Sequence, residues 1–463
     1  MQYYSLVDFI FLPIYLIIIL IVANVYSRKM MTIDPIYNNY MKGLIVKIIG
    51  GLGLAFVYTI YYPGGDTVQY FLDSLALQKL LFVDFKSYYT VMTNKPDVSN
   101  YYYFSPETGY PAYCRDPKAW FVVKMAMFIV SFSIQSYLVS TVLCASLSFL
   151  GVWKVYQVFV AEFPELRKEM AISFLFIPSV FFWGSGLLKD TFTFSALGFL
   201  VWGFYFLVIK RKKIVVALIT VFLAGFVIIS IKPYILVGFM PAIILWSIQQ
   251  LSSKVKGAIL KTALVPLFIL FGIGFGYIFM STLGEALAEY KLDTILEKAV
   301  VNQRDLKSDY HKGNAFNIGE FDATAGSILS KFPIATFSAI YRPLIIESNN
   351  AVMFLSGIEN LIILIFSIRV LLMVRVFGIF RFIFKHHLLT FSFFFSILFA
   401  YSVGLSTSNF GSLVRYKIPC MPFFVATLYI IKHLRQKELD EINANREQFP
   451  DQDIFYSAQK SLR

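Results

Sequence analysis

Arg415 and Lys417, in the stretch "NFGSLVRYKIPCMPFF", stand two residues apart between long apolar runs. A guanidinium donates bidentately to a phosphate or pyrophosphate, and a lysine adds point charge to the same anion. Asn409, Gly411 and Ser412, just upstream, offer backbone and side-chain donors to such a group. Three more cations, Lys189 in "GSGLLKDTF", Lys232 in "SIKPY" and Arg342 in "YRP", also sit at the ends of separate apolar segments. A charge near the hydrocarbon costs up to ~3 kcal/mol, so such residues normally face a polar cavity and have partners. One reading gathers the five on a shared anionic ligand. The other has them snorkel to lipid phosphates or pair with Asp190 or Glu347.

Acids complete the candidate set. Asp66 follows two glycines in "YYPGGDTVQY", and glycine lets a backbone turn tightly beside a ligand. A carboxylate there suits proton acceptance from a hydroxyl, orientation of an acceptor or binding of a divalent ion, and it equally suits an N-cap. Asp190 in "KDTFTF" reads first as the cap of the helix that it opens. No cofactor is evident, a divalent cation at Asp66 stays an open alternative, and the three cysteines show no spacing of a metal site or a disulfide framework. Cys114, Cys144 and Cys420 read as packing residues or a spare thiol.

These residues need elements to position them. With 58% hydrophobic and 15% charged residues, the chain reads as an all-α polytopic membrane protein. Apolar blocks at 8–25, 43–62, 125–150, 169–187, 191–209, 214–230, 234–248, 261–281, 350–372, 386–404 and 418–432 predict about eleven transmembrane helices. The first segment lacks a basic leader and is followed by Arg28 and Lys29, so it is expected to remain as a span. Basic clusters fall on alternate connections, among them "KRKK" at 210–213, which predicts an outer N-terminus and an inner C-terminus. The formal net charge of +13 is then mostly a topology signal, and nucleic acid is not an expected partner.

A single membrane domain is expected over 1–432, with a charged inner tail over 433–463. Two outer connections, about 63–122 and 282–349, are far longer than a link requires. In the first, "FLDSLALQKLLFVDF" suits a short interfacial helix with Asp73 and Lys79 left to one side, followed by an irregular Tyr-rich segment. In the second, an amphipathic helix near 283–295 leads through polar residues to "ILSKFPIATFSAIYRPLIIES", a Pro-interrupted piece with the character of a re-entrant segment.

The patches "FWGSGLLKDTF", "YRPLIIESNNAVMFLSGIEN" and "NFGSLVRYKIPCMPFF", in this order, resemble motifs of bacterial exopolysaccharide and O-antigen polymerase-like proteins. "GGDTVQY" is similar to the Gly-Asp-Thr/Tyr stretch after an early helix in EpsG-type polymerases. The resemblance implies a GT-C-like integral-membrane glycosyltransferase of the bacterial inner membrane. Its implied ligands are a polyprenyl-linked saccharide donor and a saccharide acceptor outside the cytoplasm, and its implied partners are membrane lipids and envelope polysaccharide-export proteins. The matching positions are Asp66, Lys189, Asp190, Arg342, Glu347 and Arg415. Polymerase, ligase and single-sugar transferase remain open alternatives at this level.

Two rival classes are a transporter or flippase of lipid-linked saccharides and a membrane scaffold. A transporter usually carries ionisable groups at midplane, whereas the charges inside these segments, Lys47, Lys124 and Glu359, fall near predicted ends. A scaffold leaves the five cations without a role.

Overall fold

The computed structural model describes residues 4–62, 64–252, 315–322 and 324–448. Among these residues the only extended pairing is an isolated bridge between Ala315 and Asn409, and the rest is helix and connection. Helix α1 (Leu6–Met31) is followed by α2 (Tyr40–Phe56), which widens into a π turn over Val57–Tyr61. Then come α3 (Asp66–Val83), α4 (Phe85–Thr93), α5 (Pro117–Ser131), α6 (Tyr137–Glu162), α7 (Arg167–Leu175) and α8 (Pro178–Trp183). The next three are α9 (Lys189–Phe204), which continues as a π turn to Lys210, α10 (Ile214–Ile231) and α11 (Tyr234–Ser252). The last part holds α12 (Ala325–Ser330), α13 (Phe332–Tyr341), α14 (Ala351–Val374), α15 (Val376–Ile383), α16 (His387–Ser406), α17 (Phe410–Tyr416) and α18 (Met421–Gln448).

Seven of the described helices are long and apolar enough to cross a membrane: α1, Pro35–Tyr61, α6, Lys189–Lys210, α10, α14 and α16. Helices α17 and α18, inclined by 64°, add an eighth if the pair is one broken span. This is the build of a multi-pass membrane protein. The expected count of eleven is therefore not reached among the described residues, and the block at 261–281 lies outside them, as does the expected amphipathic helix near 283–295.

The differences have local causes. The block at 125–150 splits into α5 and α6 at a turn where Ile134 and Gln135 adopt φ of 53° and 54°. Ser136 there accepts from Val139 N at 3.1 Å, capping α6, and donates to Asp8 of α1 at 2.6 Å. The block at 169–187 breaks before Pro178, because a residue preceding proline is driven out of the helical region. Helix α18 runs straight through residue 432 to Gln448, so no break in the backbone marks the expected tail.

The first long connection is more ordered than an interfacial helix plus irregular chain. Helix α3 packs along α5, and Asp73, expected at one side with Lys79, is buried. Its carboxylate accepts from Ala112 N at 3.0 Å and Tyr113 N at 2.8 Å, stitching the returning loop to α3. Burial pushes that carboxyl above its ordinary range, against the pull of these bonds. In the second connection the Pro-interrupted piece forms α12 and α13, and α13 lies against α16.

Burial separates inner from peripheral helices. In its most apolar stretch α6 is 72% buried, whereas α1 is 11% buried and α10 22%, leaving their Ile, Val and Phe side chains to the lipid. The inner pair α6 and α9 meets at Gly151 and Gly198, where a Cβ on either would lie 2.1 Å from a facing backbone oxygen. Gly198→Leu should therefore force these helices apart and abolish the folded, monodisperse species in detergent. Gly225→Ala, at a position of α10 with nothing within 4 Å, should leave elution and melting unchanged. Chromatography beside a melting curve reads both, and tolerance of leucine at 198 would show that the contact is loose.

Candidate functional site

The site is built at the end of the bundle where α9 and α11 begin, opposite the end that carries Lys210. A 22-residue span such as Lys189–Lys210 is ~33 Å long, so the two ends are a membrane thickness apart. Asn409 caps α17, accepting from Gly411 N at 2.8 Å and Ser412 N at 3.2 Å, and this short helix carries Arg415 in its last turn. One guanidinium nitrogen donates to Asp66 at 3.0 Å and, more weakly, to the Tyr58 hydroxyl at 3.5 Å. The other donates to Asp190 at 3.3 Å. Nε is buried without a hydrogen-bond partner, and the group lies 5.7 Å from the Trp183 ring centre.

Asp190 and Asp66 differ in setting. Asp190 is buried in the first turn of α9 and takes a second cation, Lys232, at 2.5 Å. Lys232 closes α10 and lies 4.9 Å from the centre of the Tyr416 ring. The cap position is Leu188, which makes no side-chain cap bond, and Asp190 acts through its side-chain pairs. Asp66 is likewise not the cap of α3. That position is Gly65, at φ of 115°, where a side chain would meet the Tyr58 ring at 2.6 Å. Asp66 is 42% exposed, and its second oxygen accepts from the Tyr113 hydroxyl at 3.1 Å.

The remaining candidates lie around this group rather than in it. Lys189 pairs with Asp116 at 3.0 Å, and Asp116 also caps α5 through Lys118 N at 2.8 Å. Burial would raise the Asp116 carboxyl, but the Lys189 ammonium together with the backbone N–H groups of Ala119 and Lys118 brings it below the usual range. Arg342 forks onto Glu347, with Nε at 3.0 and 3.1 Å from its two oxygens, and lies 5.1 Å from the Phe316 ring and 5.3 Å from that of Phe410. Burial would raise the Glu347 carboxyl, and Arg342 with Leu344 N at 2.8 Å brings it below its ordinary value. Lys417 is enclosed by Ile340 O and Arg342 O, each at 3.2 Å, and Asn360 Oδ1 at 2.6 Å.

The structure thus brings together Asp66, Asp190, Lys232 and Arg415, places Lys189 and Arg342 in ion pairs of their own, makes Asn409 a cap and turns Lys417 inward. The five cations do not form one open cluster. Each has internal partners, and the central four charges sum to zero.

Short α8 holds Trp183 beneath Arg415 and is gripped at both ends. Glu359 of α14 accepts from Ser179 N at 2.7 Å and Ser179 Oγ at 2.6 Å at its start, while Lys47 of α2 donates to Gly184 O at its end. A carboxylate at a helix N-terminus and an ammonium at the C-terminus both suit the peptide dipoles. Sequence reasoning did not assign Tyr58, Trp183, Tyr113 or Asp116 to the site. Trp183 lies inside the patch "FWGSGLLKDTF" and Tyr113 inside the Tyr-rich segment, but neither pattern singles them out.

Chemically, the arrangement offers a solvent-reachable carboxylate next to a guanidinium fixed from behind by a buried carboxylate. Compared with family models, curated proteins and solved structures, the chain matches none.

Asp190→Asn should destabilise the fold by ~3–5 kcal/mol, because it leaves Lys232 buried without an anion. The double change Asp190→Asn with Lys232→Met should recover part of that loss. Thermal unfolding of the three proteins in one detergent decides it. Equal melting for the single variant and wild type would mean that Lys232 keeps its water.

Proposed function

We propose that the chain is a membrane glycosyltransferase of the polysaccharide-polymerase type, acting on polyprenyl-(pyro)phosphate-linked saccharides at the extracytoplasmic face of a bacterial inner membrane. The observation that carries this reading is the bridge from Arg415 to Asp66 and Asp190. Asp190, buried and doubly paired, keeps the guanidinium in place. Asp66, partly exposed, is the partner that an arriving phosphate can displace. Once Arg415 NH1 turns to the donor's phosphate, the Asp66 carboxylate is free to accept the proton of an attacking sugar hydroxyl. The anomeric carbon–phosphate oxygen bond breaks, the carbon–acceptor oxygen bond forms, and the lipid pyrophosphate leaves with negative charge that Arg415 stabilises. The motif resemblance of the four patches supports the same substrate class, and a saccharide acceptor and envelope export proteins belong to this proposal.

A second reading, a transporter or flippase of lipid-linked saccharides, draws on one observation: three charges are buried inside the bundle, Lys417 at the break between α17 and α18, and Lys47 and Glu359 at the two ends of α8. Each of them is occupied by fixed backbone or amide partners, which suits a static role better than a travelling one.

The test is incubation of the purified protein with an extracted pool of lipid-linked oligosaccharides. Lengthened glycans would indicate a polymerase, and free lipid pyrophosphate with a new adduct a ligase. Lipid movement across vesicles without either product would establish the transporter reading instead. In the productive assay Asp66→Asn should slow turnover by ~10²-fold or more at equal membrane levels. Arg415→Lys, which keeps charge but loses the fork, should also fall well below wild type. Full activity in both would end the proposal.

Orientation is tested separately by cysteine labelling of intact cells. Positions beside Asp66, Lys189 and Arg415 should react with an impermeant reagent, and position 212 should not. Reaction at 212 would place the site on the cytoplasmic side.

A further inference from the structure

At the opposite end of the bundle, the last residue of α6 and the first residues of α16 bring together one carboxylate and two imidazoles. Glu162 Oε2 lies 3.4 Å from His386 Nε2 and 3.5 Å from His387 Nε2. These separations exceed a good hydrogen bond, and His387 Nε2 is buried with no hydrogen-bond partner. They agree with another geometry, because ligand atoms each ~2.1 Å from a tetrahedral ion lie ~3.4 Å apart. We infer that Glu162, His386 and His387 form a binding site for one divalent transition-metal ion, with water completing the coordination.

The surroundings fix the carboxylate for this role. The other oxygen, Oε1, accepts from the Tyr205 hydroxyl at 2.5 Å and from Lys210 at 3.0 Å, which leaves Oε2 directed at the imidazoles. The two rings are stacked 4.4 Å apart, and each is backed by an aromatic neighbour: Phe163 at 4.5 Å from His386 and Trp246 at 6.0 Å from His387. All three side chains are partly buried, with 10% exposure for Glu162, 25% for His386 and 21% for His387, so the pocket is reachable but not washed by solvent. Two imidazoles and one carboxylate favour zinc, cobalt, nickel, manganese or iron over calcium or magnesium. Binding has two local costs. The rings of His386 and His387 are stacked within 23° of parallel, and an ion lies in the plane of each imidazole that holds it, so one ring must rotate. His386 Nδ1 now accepts from Leu388 N at 3.3 Å, and an imidazole ligated through Nε2 carries its proton on Nδ1, so that long bond is given up.

The site joins α6, α16 and the end of the Lys189–Lys210 span, and it is independent of the glycosyl-transfer reading. The group Glu162, His386 and His387 is also the only set of three such ligand residues with this spacing among the described residues. The test uses full-length protein without a polyhistidine tag, stripped with a chelator and titrated with cobalt(II), then with zinc(II) as competitor. Wild type should bind one equivalent of cobalt per chain, show the intense visible bands of a tetrahedral ion, lose them to zinc and melt at a higher temperature when loaded. His387→Ala and Glu162→Gln should each lower the affinity at least tenfold and lose the melting shift. His433→Ala, whose imidazole faces Glu165 at 3.7 Å elsewhere, should bind as wild type does. Because stripped wild type is itself the first sample, a variant that fails to fold leaves the question decidable. Absence of saturable cobalt binding by folded wild type, or binding that survives both substitutions, would overturn the inference.

Discussion

A carboxylate buried at the end of an apolar helix bundle must be met by cations, and Asp190 is that carboxylate. Lys232 answers it from the junction of α10 and α11, and Arg415 answers it from α17. Removing an ion from water costs several kcal/mol, so the three groups are stable there only as a set. The set has a further effect on geometry. With one arm of Arg415 committed to Asp190, the other arm has a fixed direction, and Asp66 lies along it.

The break between α7 and α9 is what gives this ion group its setting. Pro178 interrupts an apolar segment that would otherwise cross as one helix, and the short α8 that results needs its exposed peptide groups satisfied inside the bundle. Glu359 and Lys47 satisfy one end each. The payoff of that arrangement is the position of Trp183, whose ring forms a wall beside the guanidinium. Two buried charges, Lys47 and Glu359, therefore help decide where the Arg415 ion group can be.

Part of this was legible in the sequence. Hydropathy located the apolar segments, since burial in lipid imposes a composition that a single chain displays. The same measure merged α5 with α6, because the turn at 132–136 uses serines and a glutamine that barely lower an apolar average. The charged residues Asp66, Asp190, Lys232 and Arg415 were visible because charges are rare beside such segments. Their partners were not. The pairing of Arg342 with Glu347 was among the anticipated alternatives, being five residues apart, and so was a pairing with Asp190. The pairing of Lys189 with Asp116 spans 73 residues and leaves no trace in local pattern. Asp66 and Asp190 both sit within a first helical turn, where acids are common for reasons of the dipole alone, so their side-chain roles needed the assembled bundle.

The distances in sequence between the paired charges have a bearing on biogenesis. Asp66 meets Arg415 across 349 residues, and Asp190 meets it across 225. During synthesis the early helices are delivered to the bilayer while their counter-charge is still inside the ribosome. Until α17 emerges, Asp190 has only Lys232 and Asp66 has no cation. The nascent protein is therefore an assembly with open valences, and arrival of the C-terminal segment closes them together. A chain cut short between α16 and Arg415 would keep most of its apolar helices and leave Asp66 without its cation.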